Sequence, residues 1–239
     1  MTVPLFESPA GRPLVLKAFT DPDLAVRLGR MGLYEGSEIE RLDQEVLVQP
    51  VRIKGPAGEA VLGGGMAMKV VIHLDDGRKL PLAEMRTGET GHMEGFTGGP
   101  ALSDTLAVLG LSSGDRIRFL RHLPPMTYIT RLETGVRVHL TEGMAAKIWG
   151  RSGNEEVQFI CAPTDNPFAV LQILGGKRAR QMLYSRQIEP GTILVLENVA
   201  PAQSLRTETR NPVVIASREG LRLFLNPEDG RRILVTPAG

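Results

Sequence analysis

The sequence predicts a mainly β fold made of three tandem small β-barrels, each with one or two short helices. An internal repeat is the first reason. Met31-Gly32-Leu33-Tyr34-Glu35-Gly36 returns as Leu109-Gly110-Leu111-Ser112-Ser113-Gly114, and Gly65-Met66-Ala67-Met68-Lys69 as Gly143-Met144-Ala145-Ala146-Lys147, both 78 positions later. Between Pro22 and Ile72, 13 of 51 positions are identical at that offset, against roughly three or four from shuffled composition. The identities fall on glycine, proline and apolar sites, which set backbone and core. Alternation is the second reason: Val136, Val138 and Leu140 stand at period two behind a turn at Glu133-Thr134-Gly135. Composition is the third, since 42% apolar and 23% charged residues over 239 positions describe a chain that folds and can hold several small units.

A more divergent third copy follows. Gly98-Gly99 matches Gly175-Gly176, Leu106 matches Leu183, and Leu111-Ser112-Ser113-Gly114 matches Ile188-Glu189-Pro190-Gly191, all 77 apart. Gly135 to Leu140 then aligns with Gly220 to Leu225 at an offset of 85, so eight residues are inserted, expected as a polar loop near 201–211. The expected domains are 1–75, 80–151 and 156–239, with polar, glycine-bearing boundaries near 74–79 and 150–155.

Within the middle copy, His92 to Phe96 reads as a strand and Gly98-Gly99 as a turn. Pro100 suits the first position of a helix, where its missing N–H would be unpaired anyway. Leu102, Leu106 and Leu109 then form one buried stripe, and Gly110 ends the helix as a left-handed cap. Asp21, Pro22, Leu24, Leu28, Met31 and Gly32 repeat this in the first copy. Asp115 to Leu120 and Tyr128 to Leu132 read as further strands. A last helical turn is signalled by Asn226-Pro227-Glu228-Asp229, which supplies a cap, an N1 proline and acids at the positive helix end. Arg232 to Val235 makes a final strand, and about five short strands per copy cover one core by curling into a barrel.

Lys and Arg number 28 against 27 Asp and Glu, a net charge of +1, so no global field gathers phosphate backbones or anionic lipid. Neither nucleic acid nor direct membrane insertion is expected. Cys161 is the only cysteine, which forbids an internal disulfide and points to a reducing cytoplasm. The start of the chain has no signal-peptide pattern, and no run of about 18 apolar residues occurs. Enzymatic hardware is missing as well. The chain lacks G-x-x-x-x-G-K-[ST], with Gly175-Gly176-Lys177-Arg178 carrying the lysine without the spacing, and it lacks G-x-S-x-G, H-E-x-x-H and C-x-x-C. The protein is expected not to be an enzyme.

The helix ending in Leu109-Gly110-Leu111-Ser112-Ser113-Gly114, together with Val138-His139-Leu140-Thr141-Glu142-Gly143-Met144-Ala145-Ala146-Lys147-Ile148, resembles the FeoA family, ferrous iron transport protein A. The middle copy matches best, the first keeps Met31-Gly32-Leu33 and Gly36, and the third departs by placing Arg186-Gln187 where the helix should end in Leu-Gly. The resemblance implies SH3-like small barrels without catalytic residues. It also implies a cytoplasmic accessory role, binding and modulating the cytoplasmic domain of the FeoB-type membrane GTPase of ferrous iron transport. Three copies in one chain suggest a covalent pseudo-trimer with a fixed local stoichiometry. A different-class alternative is a metal-responsive sensor, resembling the C-terminal SH3-like domain of iron-dependent repressors.

Partner contacts are expected at two places. One is the corner Leu109, Gly110 and Leu111, which also reads as a helix cap and core contact. The other is His122, Leu123, Pro124, Pro125 and Met126, where two prolines interrupt ladder pairing and leave a rigid apolar surface, unless the loop folds back on its barrel. For a metal ion, iron or zinc, His92 and His139 are the positions to consider. No two of the four histidines lie within five positions, and the equivalents of His92 and His139 in the other copies are Leu14, Ala169, Val61 and Phe224. The simpler expectation is therefore a histidine on a barrel wall, with no dedicated cofactor.

Overall fold

The structure is a computed structural model that describes residues 2–43, 46–47, 49–202, 209–210 and 212–238. The first strands are β1 (Val3–Pro4), β2 (Pro13–Phe19) and β3 (Glu38–Leu42), with α1 (Pro22–Arg30) between the last two. After β4 (Val46–Leu47) come β5 (Val51–Gly55), β6 (Gly58–Leu62), α2 (Gly64–Ala67), β7 (Val70–Leu74), β8 (Lys79–Pro81), β9 (Thr90–Phe96), α3 (Pro100–Val108) and β10 (Arg116–His122). The chain continues through β11 (Met126–Leu132), β12 (Arg137–Thr141), α4 (Glu142–Ala145), β13 (Ile148–Ser152), β14 (Glu155–Gln158), β15 (Pro167–Ile173), α5 (Lys177–Tyr184) and β16 (Ile193–Pro201). It closes with β17 (Thr209–Arg210), β18 (Val213–Ser217), β19 (Arg222–Leu225), α6 (Pro227–Arg231) and β20 (Ile233–Pro237).

These strands form three six-stranded sheets and a short β4–β17 pair. The central sheet runs β6-β5-β10-β9-β7-β8, the following sheet β12-β11-β16-β15-β13-β14, and the terminal sheet β19-β18-β3-β2-β20-β1. Read in those directions the three orders correspond strand for strand, so the threefold repetition of sequence is also one of topology. None of the three is closed into a barrel. The expected barrels are thus corrected to open sheets. Closure would require the two outermost strands to pair with each other. In the central sheet they turn to neighbours instead: the backbone of Val61 on β6 is held by Gln158 of the following sheet, and Lys79 on β8 donates its backbone N–H to Gly220 beside β19.

The sheets are out of step with the sequence ranges 1–75, 80–151 and 156–239. Phe119↔Ile53 and Arg118↔Lys54 pair β10 with a strand of the preceding copy, whereas Tyr128↔Val199 pairs β11 with a strand of the next. Range 80–151 therefore divides its strands between two sheets. The stretches expected as boundaries, near 74–79 and 150–155, contain the hairpin turns β7–β8 at 75–78 and β13–β14 at 153–154, inside single sheets. The chain passes from the terminal to the central sheet between β3 and β5, from the central to the following sheet at 123–125, and back to the terminal sheet between β16 and β18. The predicted insertion near 201–211 lies mostly outside the described residues; within it, Thr209–Arg210 pair with Val46–Leu47.

Local signals produce the expected elements. Asp21 caps α1 by accepting from the N–H groups of Asp23 and Leu24, and Asn226 caps α6 by accepting from Asp229. Gly32 and Gly110 follow their helices at φ 98° and 65°. In the third copy Gln187 holds the same left-handed conformation at φ 61°, where a side chain costs roughly 1–2 kcal/mol. Each sheet buries its own core: Ile53, Leu106, Ile117 and Phe119 in the central one, Leu140, Phe159, Phe168 and Leu194 in the following one, Leu14, Leu28, Leu223 and Val235 in the terminal one.

Candidate functional site

The central sheet gathers its polar groups on the face away from its core. Along β9 the burial alternates, with Gly91, Met93 and Gly95 inward and Thr90, His92 and Glu94 outward, as a pleated strand dictates. Register then builds a rung across four strands: Lys79 opposes His73, His73 opposes His92, and His92 opposes Arg116. The two imidazole rings lie with centroids 4.8 Å apart. Glu94, two residues along β9 from His92, extends between them: its Oε2 is 3.5 Å from His73 Nδ1 and 3.6 Å from His92 Nε2. Its other oxygen, Oε1, accepts from Lys79 Nζ at 2.6 Å.

Beyond the rung, Asp75 accepts from the Thr90 hydroxyl and from Arg116, whose two nitrogens lie 3.2 and 2.7 Å away. The Thr90 hydroxyl first, and Arg116 next, hold the Asp75 carboxyl below its ordinary range. His73, His92 and Glu94 keep side-chain exposures of 32%, 46% and 16%, so the group is open to solvent on one side while its backbone is fixed by ladders. Two imidazole nitrogens and one carboxylate oxygen make a donor set suited to divalent transition metals. Among the described residues the same positions elsewhere carry no such set: Arg151, Ala169 and Leu171 in the following sheet, Thr236, Val15 and Lys17 in the terminal one.

That correspondence corrects the expected equivalence of His92 with Leu14. The pair His92↔Arg116 maps onto Val15↔Glu38, so the equivalent is Val15, one residue on and on the opposite face. A one-residue slip exchanges the faces of a strand, so His92 is an outward residue, not part of an apolar wall. His139 does not join it. It is exposed on β12, the outermost strand of a different sheet. The i, i+2 spacing of His92 and Glu94 was visible in sequence; the arrival of His73 depends on the β7–β9 register.

The structure separates the expected partner-binding residues. Leu109 and Leu111 are buried in the central core and Leu123 in the core of the following sheet, so their side chains are not available to a partner. Each is drawn inward by the packing of a large aliphatic group at a helix or strand end. Gly110, His122, Pro124 and Pro125 are exposed, and Met126 is partly buried against the same core as Leu123. The segment 123–125 is a bridge between sheets and not a free loop: Leu123 N–H donates to Pro50, and Pro125 C=O accepts from Ala202.

Two buried carboxylates lie apart from the rung. Burial pushes the Glu142 carboxyl at the start of α4 above its ordinary range, and one of its oxygens has no hydrogen-bond partner. Burial also raises Asp229 in α6, although Asn226 donates to it.

A model of the FeoA domain matches residues 80–152, from the end of β8 to the end of β13. Comparison with curated proteins and with solved structures found no match. The matched range supplies His92 and Glu94, while His73 precedes it. No helix among the described residues is long and apolar enough to cross a membrane.

Proposed function

We propose that this chain is a noncatalytic, cytoplasmic accessory protein of ferrous iron transport that binds and modulates a FeoB-type GTPase transporter through the transporter's cytoplasmic domain. The single observation that carries the reading is the FeoA-domain match over residues 80–152. The sequence repeat supports extending it, because the same glycine, proline and apolar pattern lies 78 residues earlier and, more loosely, 77 to 85 residues later. Each six-stranded unit is read as a variant of the SH3-like fold, opened and completed by strands of the neighbouring copy. Without a phosphate-binding loop in its own sequence, the chain leaves GTP hydrolysis to the partner. Three linked units raise the effective concentration of the second and third contacts once the first has formed.

The exposed residues Gly110, His122, Pro124 and Pro125 are the part of the expected contact region that a partner could touch. Titrating the cytoplasmic GTP-binding domain of a FeoB-type transporter with the purified chain should give saturable binding and a changed rate of GTP hydrolysis. Replacing His122 and Pro124 together by Ser should weaken binding at unchanged melting temperature. Absence of binding by the unaltered chain would overturn the reading.

A further inference from the structure

We infer that His73, His92 and Glu94 form a binding site for one divalent first-row transition-metal ion on the outward face of the central sheet. The site stands apart from the contact surface proposed above. It rests on the His73↔His92 rung and on Glu94, two residues along β9 at the register shift between β7 and β9, so it is built on strand backbone and not on a flexible loop. Their ligand atoms all lie within 4.8 Å of one another.

The distances decide between a loose polar cluster and a site. Ligands about 2.0–2.2 Å from a tetrahedral ion stand roughly 3.4 Å from each other. Glu94 Oε2 already lies 3.5 and 3.6 Å from the two imidazole nitrogens, so two of the three edges need only tenths of an ångström. The remaining edge, between the imidazoles, lies within 4.8 Å and must shorten by rotation of two partly exposed rings. Lys79 occupies Oε1 and thereby leaves Oε2 directed at the histidines, as a group behind a ligand commonly orients it. Two histidines and a carboxylate leave positions open for water, and this donor set takes Fe(II), Zn(II) and Co(II). Since the equivalent positions of the other two sheets hold arginine, threonine and aliphatic or lysine side chains, the described residues offer one such site.

Purified full-length chain, stripped with chelator, would be titrated with Co(II) followed by its visible absorption, and with Zn(II) and anaerobic Fe(II) by calorimetry. Saturation at one ion per chain is expected at pH 7.5. His92→Ala and His73→Ala should each weaken binding at least tenfold, while His139→Ala leaves it unchanged. Because both histidines face solvent, the metal-free variants should melt with the parent protein; His92→Gln supplies a second test should one not. No saturable binding, or binding insensitive to His92 substitution in a folded variant, overturns the site. The titration uses this chain alone, so its outcome is independent of whether a GTPase is bound.

Discussion

Val61, His139 and Phe224 occupy one and the same position on the outermost strands β6, β12 and β19, yet their fates differ. Val61 is 1% and Phe224 2% exposed, whereas His139 is open to solvent. The difference is supplied from outside each sheet. Gln158 reaches from the following sheet to clasp Val61, accepting from its N–H at 2.8 Å and donating to its C=O at 2.8 Å, while also donating to Ala146 C=O at 2.6 Å. Phe224 packs with Met68 and Val214, and its C=O accepts from the Thr97 hydroxyl of the central sheet at 3.0 Å. The backbone repeats, and the side chain at each edge follows what covers it.

The contrast can be broken most forcefully at Phe224. Its replacement by Ala should cost about 3–5 kcal/mol in denaturant unfolding, while His139→Ala should stay within about 0.5 kcal/mol; equal losses would mean that the two edges are not differently covered. Gln158→Ala should cost about 3 kcal/mol by the same measurement, because it leaves the N–H and C=O of Val61 buried without their partner. A loss under 1 kcal/mol would show the central edge to be as bare as β12.

Glu142, at the end of the bare-edged hairpin, sharpens the comparison through pH. Burial raises its folded-state pKa above the unfolded value, so the folded protein holds the proton more tightly. Stability from this group is therefore full below the unfolded pKa and is lost as pH rises through the folded one. Glu142→Gln should match the parent near pH 4 and exceed it at pH 7 by on the order of 1 kcal/mol. Parallel unfolding curves at pH 4.0, 5.5 and 7.0 would decide it; an identical pH dependence of the two proteins would contradict a buried carboxylate.

Much of the local structure was legible. Pro100 and Gly110 bracket a helix, Asn226 caps another, and alternation marks β12, because each signal is complete within a few residues. The pairing partners were not. The pattern of β10 is the same whether it returns to β11 or joins β5, and only contacts over 60 residues distant choose between them. Leu123-Pro124-Pro125 held the available hint, since two prolines favour an extended spacer over a hairpin. At the metal-ligand rung, His92 and Glu94 could be read as sharing a face. His73 joined them through a ladder register that no single strand encodes.

The pairing of β1 and β2 with β20 joins residues near opposite ends of the sequence, as in Val3↔Val235 and Leu16↔Val235. During synthesis the central sheet has all its strands once His122 has emerged, but β3 must wait for β18, which begins at Val213, and β1 and β2 for β20, which begins at Ile233. At typical ribosomal speeds of about 5–20 residues per second, the wait from the end of β3 at Leu42 to those strands lasts roughly ten to forty seconds. For that time the edges of β1 to β3 lack the strands they pair with in the finished sheet.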